Sequence, residues 1–359
     1  MMKDRVNELD LLRFCAALSV VFYHYAFRGY AADHLTIMPY PLLTRFAKYG
    51  NVGVSLFFMI SGYVILMTAA EGSLKKFVVS RMIRLYPAFW ICCTATFLVA
   101  IAIGGEKYFT TASQYLVNLT MLSEFFNVQP VDWAYWSLFV EIKFYLLIAI
   151  ILLIGKIDWA QNILIAWLSV SICLEFVYQN GYLYYWLNAQ YATYFIAGAM
   201  CFLISTKGPS LTRMIVIVIA WGLAVMQAIS DTTLAEKRFK TPMNEYIIVA
   251  IITLFFVIMF LISIKKTGAV GRVHWSAIGA LTYPIYLLHQ NIGYMIFNVA
   301  YPAINSHVLF WSVIILMVCM AYMVNIFEKK VSPPFKNALY RFFNYLEQLK
   351  NRPPLVRTN

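Results

Sequence analysis

The first apolar run, ELDLLRFCAALSVVFYHYAF, carries an arginine and a histidine eleven residues apart, Arg13 and His24. On a helix of 3.6 residues per turn that spacing is three turns plus about 20°, so both side chains share one face, about 16 Å apart along the axis. Asp10 precedes Arg13 by three residues, on the same stripe and within ion-pair reach. An imidazole titrates near neutral pH and is suited to take a proton from an alcohol, while a guanidinium suits an anionic donor. The same stripe also fits a buried ion pair beside a hydrogen-bonded core histidine.

Three further stretches place polar groups at chemically useful spacings. In WSLFVEIKFY (136–145), Ser137, Glu141 and Tyr145 recur every four residues on one helical face, whereas Lys143 points elsewhere. Glu141 therefore needs a cation, a histidine or a ligand hydroxyl. In KKFVVSRMIRLYP, Arg81 and Arg84 lie one turn apart in a segment expected to be cytosolic, with Pro87 opening the next helix. The pair suits bidentate phosphate capture, or snorkelling at the interface. In LTYPIYLLHQN, Pro284 is expected to kink a span and free a carbonyl, and His289, Gln290 and Asn291 follow it. No GxSxG, Walker A or HExxH pattern occurs, so serine-hydrolase, nucleotide-hydrolysing and zinc-protease chemistries have no support, and no metal site is expected. The six cysteines all fall in apolar runs without ligand spacing and read as buried apolar residues.

These groups need a scaffold, and composition says which. Of 359 residues, 62% are hydrophobic and only 12% charged, with mean hydropathy +0.71. A soluble domain is about a quarter charged, so this chain has too little polar surface to face water. A membrane crossing takes about 20 mostly apolar residues. Runs at 9–27, 52–70, 88–103, 136–154, 160–178, 183–204, 211–229, 246–264, 276–298 and 306–327 meet that need. The expectation is an all-α, polytopic membrane protein of about ten transmembrane helices over 1–330, with a cytoplasmic tail over 331–359. The first run carries Asp10 and Arg13 and lacks a small-residue cleavage site, so it is expected to be retained. A charged group inside a span costs about 2.5–3.5 kcal/mol on insertion scales, which makes each intramembrane charge above a functional candidate.

Nineteen of the 28 lysines and arginines, Lys3 and Arg5 among them, fall on the side holding both termini; seven fall on the other, and Arg13 and Lys143 lie within spans. The bias orients the chain with both termini cytoplasmic. The net charge of +12 thus serves topology and calls for no nucleic acid.

Taken together, the motifs resemble the acyltransferase-3 family of OafA/YrhL-like membrane O-acyltransferases. RVNELDLLRFCAALSVVFYH matches its N-terminal signature, with the Arg-x10-His element at Arg13 and His24. GNVGVSLFFMISGYVI, RMIRLYP, WSLFVEIKFY and LTYPIYLLH follow in family order through about residue 290. The resemblance implies transfer of an acyl group, most often acetyl, from cytosolic acyl-CoA to a sugar hydroxyl of an extracytoplasmic glycan or lipid-linked sugar in the bacterial inner membrane. No permanently bound cofactor is implied. Carried over by position, His24 is the central catalytic residue, as general base on the acceptor hydroxyl or as transient acceptor of the acyl group, with Glu141 serving the reacting centre. Asp10, Arg13, Arg81, Arg84, Ser137 and His289 serve donor and substrate. Many members append a periplasmic SGNH hydrolase-like domain; about 30 residues follow the last expected span here, so the membrane domain is expected to act alone or with polysaccharide-assembly partners. Two rival readings use the same residues: a transporter or flippase with charges along its path, and a non-catalytic scaffold.

Overall fold

A computed structural model describes residues 6–350; Lys3, Arg5 and residues 351–359 of the expected tail lie outside the described residues. Among the described residues, ten long helices build the molecule. They are α1 (Asn7–Tyr23), α2 (Gly53–Ala69), α3 (Leu74–Ile103), α4 (Trp136–Leu153) and α5 (Ala160–Phe176). The second half supplies α6 (Ala189–Lys207), α7 (Leu211–Phe239), α8 (Glu245–Ser263), α9 (Ser276–Ala300) and α10 (Ser306–Lys350). No strand occurs among the described residues, and the protein is an all-α polytopic membrane protein.

Nine of the ten are long and apolar enough to cross a membrane. The exception, α9, is 25 residues long and packs against α1, α3 and α10. Every residue from Ile285 to Met295 is buried, so its polar side chains face protein and cost less than they would against lipid. The outward faces are the reverse. Leu98 and Ile101 on α3, Leu146 and Ile150 on α4, and Leu254 and Val257 on α8 are all exposed, in pairs three or four residues apart. Such stripes are stable only against lipid.

The tightest contact is between α2 and α6. A methyl group at Gly62 would stand 2.0 Å from the Phe195 carbonyl oxygen, and one at Gly198 would stand 1.8 Å from that of Met59. Only glycine admits so close a backbone approach, the small-residue packing by which helices associate where lipid removes the hydrophobic drive between them. Residues Ala192 to Ile204 of α6 are all buried, which makes α6 the hub on which α2, α5, α7 and α8 pack.

Two expectations fail at prolines. Helix α3 does not begin at Pro87; it starts at Leu74, capped by Ser73, whose hydroxyl accepts from the Lys76 N–H (3.3 Å). Pro87 sits in its interior, so Arg81 and Arg84 ride on this helix itself and not in a separate segment before it. Likewise α10 runs past the expected end at 327, through Pro333 and Pro334, to Lys350. This extension lies along α3, where Phe335 meets the Trp90 ring edge-on at 5.2 Å and Glu347 pairs with Lys75 at 3.0 Å. At Pro284 a carbonyl is freed as expected, and a side chain of α10 takes it up. Pro284 leaves Ala280 O without its helical donor, and Asn325 Nδ2 of α10 donates to it at 3.4 Å.

Candidate active site

His24 marks a change in helix geometry. From His24 to Ala32 the chain takes π-helical turns, closed by the Asp33 N–H donating to Arg28 O (3.0 Å). Such turns are rare and often lie at functional sites. They are held against α9 by reciprocal bonds: Tyr25 Oη donates to His289 O (2.6 Å), and Tyr294 Oη to His24 O (3.2 Å). Gly293 makes room for the Tyr25 ring, since a methyl there would lie 2.3 Å from its hydroxyl oxygen.

These bonds bring two imidazoles together. His289 Nε2 lies 2.9 Å from His24 Nδ1, His289 Nδ1 lies 2.8 Å from Tyr286 O, and His24 Nδ1 lies 2.9 Å from Val20 O. A carbonyl only accepts, so in the neutral pair His289 carries its proton on Nδ1 and presents a lone pair at Nε2. His24 Nδ1–H must then donate, shared between His289 Nε2 and Val20 O. That assignment leaves the lone pair of His24 on Nε2. His24 is 5% exposed and lines a cavity of about 280 Å³ with Arg28, Trp136, Tyr191, Gln227 and Asp231.

A second cavity, of about 160 Å³, collects the cations. Arg13, Arg81 and Arg84 line it together with Ser61, Glu141 and Tyr145. Arg13 lies 3.7 Å from Asp10, as the i, i+3 spacing requires. Arg81 Nη2 donates to Thr68 and Ser80 hydroxyls (both 3.1 Å), its Nε has no partner, and Arg84 stacks over Tyr283 at 5.5 Å. Glu141 Oε1 accepts from Ser61 Oγ (2.8 Å) and Tyr145 Oη (2.7 Å), which confirms the face shared by Glu141 and Tyr145. Lys143 does point away, donating to Tyr185 O at 2.6 Å.

Tyr286 lines both cavities. Its hydroxyl donates to Ala134 O (3.1 Å) and lies 2.7 Å from Ser137 Oγ, and its ring meets Phe57 edge-on at 5.6 Å. With Val20, Ala134, Val54 and Phe57 it forms a small apolar partition. A cationic chamber and a histidine chamber thus share a single aromatic wall.

A family model described as an acyltransferase domain matches residues 6–326. The chain belongs to the acyltransferase-3 family. It is 28% identical over 171 residues to nodulation protein 10 of Rhizobium leguminosarum bv. viciae, covering 42% of this chain and 45% of that one. Against the peptidoglycan O-acetyltransferase OatA of Listeria monocytogenes the identity is 27% over 177 residues, 44% of this chain and 25% of the relative. Against the O-acetyl transferase of Shigella phage Sf6 it is 32% over 126 residues, 34% and 35% of the two chains. The chain therefore spans less than half the length of each of these relatives. No solved structure matches it.

Within this acyltransferase-3 protein the expected site residues fall into two sets. Asp10, Arg13, Arg81, Arg84 and Glu141 gather at or beside the cationic chamber, while His24 pairs with His289 at the other. Glu141 accepts from Ser61 and Tyr145, and the partner of the His24 imidazole is His289. Ser137 sits at the wall, bonded to Tyr286. Sequence reasoning passed over Tyr286, Asp132 and the polar residues of α6 and α7. Asp132 is fully buried, and its carboxylate accepts from the Ala134 and Asn291 N–H groups (both 2.8 Å), tying the start of α4 to α9 beside the histidines. Gln227 and Asp231, four residues apart within a span, carried the intramembrane-polarity signal that singled out the others.

Proposed function

We propose that this protein transfers an acyl group, acetyl first among them, from cytosolic acyl-CoA to a hydroxyl of an extracytoplasmic carbohydrate or glycolipid. The observation that carries the reading is the pair of chambers on either side of Tyr286, arginines lining one and His24, paired with His289, lining the other. The names of two relatives, a peptidoglycan O-acetyltransferase and an O-acetyl transferase, support acetyl as the group and a glycan as the acceptor. The 19-to-7 charge bias supports cytoplasmic termini, with the cationic chamber toward the cytosol of a bacterial inner-membrane protein.

In this reading, acetyl-CoA sets its phosphates against Arg13, Arg81 and Arg84, as planar guanidinium forks bind phosphate bidentately. Glu141 then serves the donor side, holding Ser61 and Tyr145 in place. The pantetheine arm carries the thioester past Tyr286 toward His24. The acceptor oxygen attacks the thioester carbon as His24 Nε2 takes its proton. Collapse of the tetrahedral intermediate breaks the C–S bond and expels the thiolate, which receives that proton and leaves as CoA. His289 Nε2 accepts from His24 Nδ1–H throughout, so the ring stays oriented while it is an imidazolium.

Mass spectrometry of surface glycans from cells with and without the gene tests this. The expected result is an acyl mass difference on one glycan, present only with the gene and absent with His24→Gln. Identical acylation in both strains, with a change only in the amount of glycan exported, would overturn the reading and favour a flippase.

A further inference from the structure

Resting on that reading, we infer that Arg28 is a further catalytic residue, whose Nη groups hold the oxyanion formed on the thioester carbonyl oxygen. As the acceptor oxygen attacks, it gives its proton to His24 Nε2, and the C=O electron pair moves onto the carbonyl oxygen. Collapse restores that C=O, breaks the C–S bond and returns the proton to the departing thiolate. The oxyanion between these two steps needs a donor, and a preorganised one is usually the largest single contribution to acyl transfer. The donor-side arginines do not supply it: Arg13, Arg81 and Arg84 line the chamber beyond Tyr286. Tyr286 Oη is itself turned to Ala134 O at 3.1 Å.

Arg28 is the one lysine or arginine among the described residues lining the His24 chamber. It follows His24 by four residues in the π-helical segment. Bonds from i to i+5 put about four to five residues in a turn, so the two side chains leave the same face one turn apart. The segment is fixed in place, with Tyr294 Oη donating to His24 O (3.2 Å) and the Thr36 N–H to Gly29 O (2.8 Å). Arg28 Nε donates to Asp33 Oδ2 at 2.8 Å, which aims the head. Its Nη groups have no partner among the described residues, and the side chain stays 27% exposed, so they are open to a ligand. Asp33 also accepts from Arg238 at 3.2 Å; two cations share one carboxylate and a net positive charge remains. Other donors in the lining are spent or neutral. Gln190 Nε2 donates to Asp231 (3.4 and 3.2 Å) and Gln227 Nε2 to Glu175 (2.8 Å), whereas Trp136 and Tyr191 carry no charge. A charged donor bonds an oxyanion roughly twice as strongly as a neutral one.

Kinetics with two thioesters separate an oxyanion contact from a binding or packing role. Inverted membrane vesicles from cells making the protein, which retain the native acceptor, receive acetyl-CoA or fluoroacetyl-CoA labelled in the acyl group. Label reaching glycan is followed, normalised to the amount of protein. Arg28→Met should lower kcat by about 10²- to 10³-fold, the cost of removing one oxyanion donor, with the acetyl-CoA KM unchanged. The loss should be smaller with fluoroacetyl-CoA, because fluorine withdraws charge from the oxyanion and leaves less for the cation to stabilise. Arg28→Lys should recover part of the rate, as a point charge replaces the fork. Asp33→Asn keeps the cation and should cost less than Arg28→Met. Asp33 retains Arg238 when Arg28 is replaced, so the melting temperature of Arg28→Met should stay near that of the parent. Equal losses with the two thioesters, a loss in Asp33→Asn matching that of Arg28→Met, or a parent-like kcat in Arg28→Met would each overturn the assignment. Should Arg28→Met fail to fold, Arg28→Lys carries the same comparison of thioesters, and equal losses there overturn it too. Transfer abolished by His24→Gln but untouched by Arg28→Met would keep the acyl-transfer reading and remove Arg28 from it. No label on glycan from the unmodified protein would sink that reading, and this role with it.

Discussion

His24→Gln loses acetyl transfer by about a thousandfold, within the 10² to 10⁴ that a positioned general base contributes, while expression and melting temperature stay close to the parent protein. Gln preserves a hydrogen-bonding side chain at that place but cannot take up a proton at neutral pH. The companion variant, His289→Gln, sorts chemistry from architecture. His289 is a positioning residue in this account: its Nε2 accepts from His24 Nδ1, and the tautomer that frees His24 Nε2 depends on that bond. An amide oxygen can accept the same bond, so His289→Gln should retain much more activity than His289→Leu, with the loss in kcat and little change in the acetyl-CoA KM. Equal, near-complete loss in both His289 variants with folding intact would point to a direct proton-transfer role. Full activity in His24→Gln would show that the base lies elsewhere.

Arg81→Ala and Arg84→Ala raise the KM for acetyl-CoA by about 10- to 100-fold each, the range of a charge-assisted hydrogen bond worth about 1.5–3 kcal/mol. Lysine at either position recovers part of the loss, since a point charge replaces the fork. Acetyl-pantetheine, which has the thioester arm but no nucleotide phosphates, provides the control. Its KM should be unchanged in the same variants. Arg81 also ties α3 to α2 through Thr68 Oγ1 (3.1 Å), so a packing role is the competing explanation. That role would raise both KM values together and lower the melting temperature, and kinetics with the two donors separate the cases.

The spans were readable because apolar runs of membrane length leave little choice of structure, and the starts of α4, α5 and α7 fall close to where the runs begin. What the sequence concealed lies at punctuation and at long range. Pro87 and the charges before it look like a loop ending and a helix starting; Ser73 capping and the packing of α10 along α3 carry the helix through them. Pro333 and Pro334 hid the last turns of α10 in the same way. Within the site, Arg13 and His24 were assigned to one stripe by helical arithmetic, and they do point into neighbouring chambers along one helix. Pairing across elements was out of reach: His24 and His289 are 265 positions apart, and no periodicity links them. Glu141 could be given a face but not a partner, because hydroxyls of Ser61 and Tyr145 satisfy it and hydroxyls are common in every span. Asp132 was overlooked because it precedes a span, where an acid looks solvated; its partners are backbone N–H groups that sequence does not display.

In the proposed reaction, donor and acceptor approach from opposite sides and meet at the wall formed by Tyr286. Sealed vesicles of uniform orientation separate the two approaches, with acetyl-CoA confined to the face bearing Arg81 and Arg84 and the sugar acceptor to the other. Acetylated sugar is expected on the acceptor side and free CoA on the donor side, with no product when the two compartments are exchanged. Product formed only when both substrates share one compartment would contradict it.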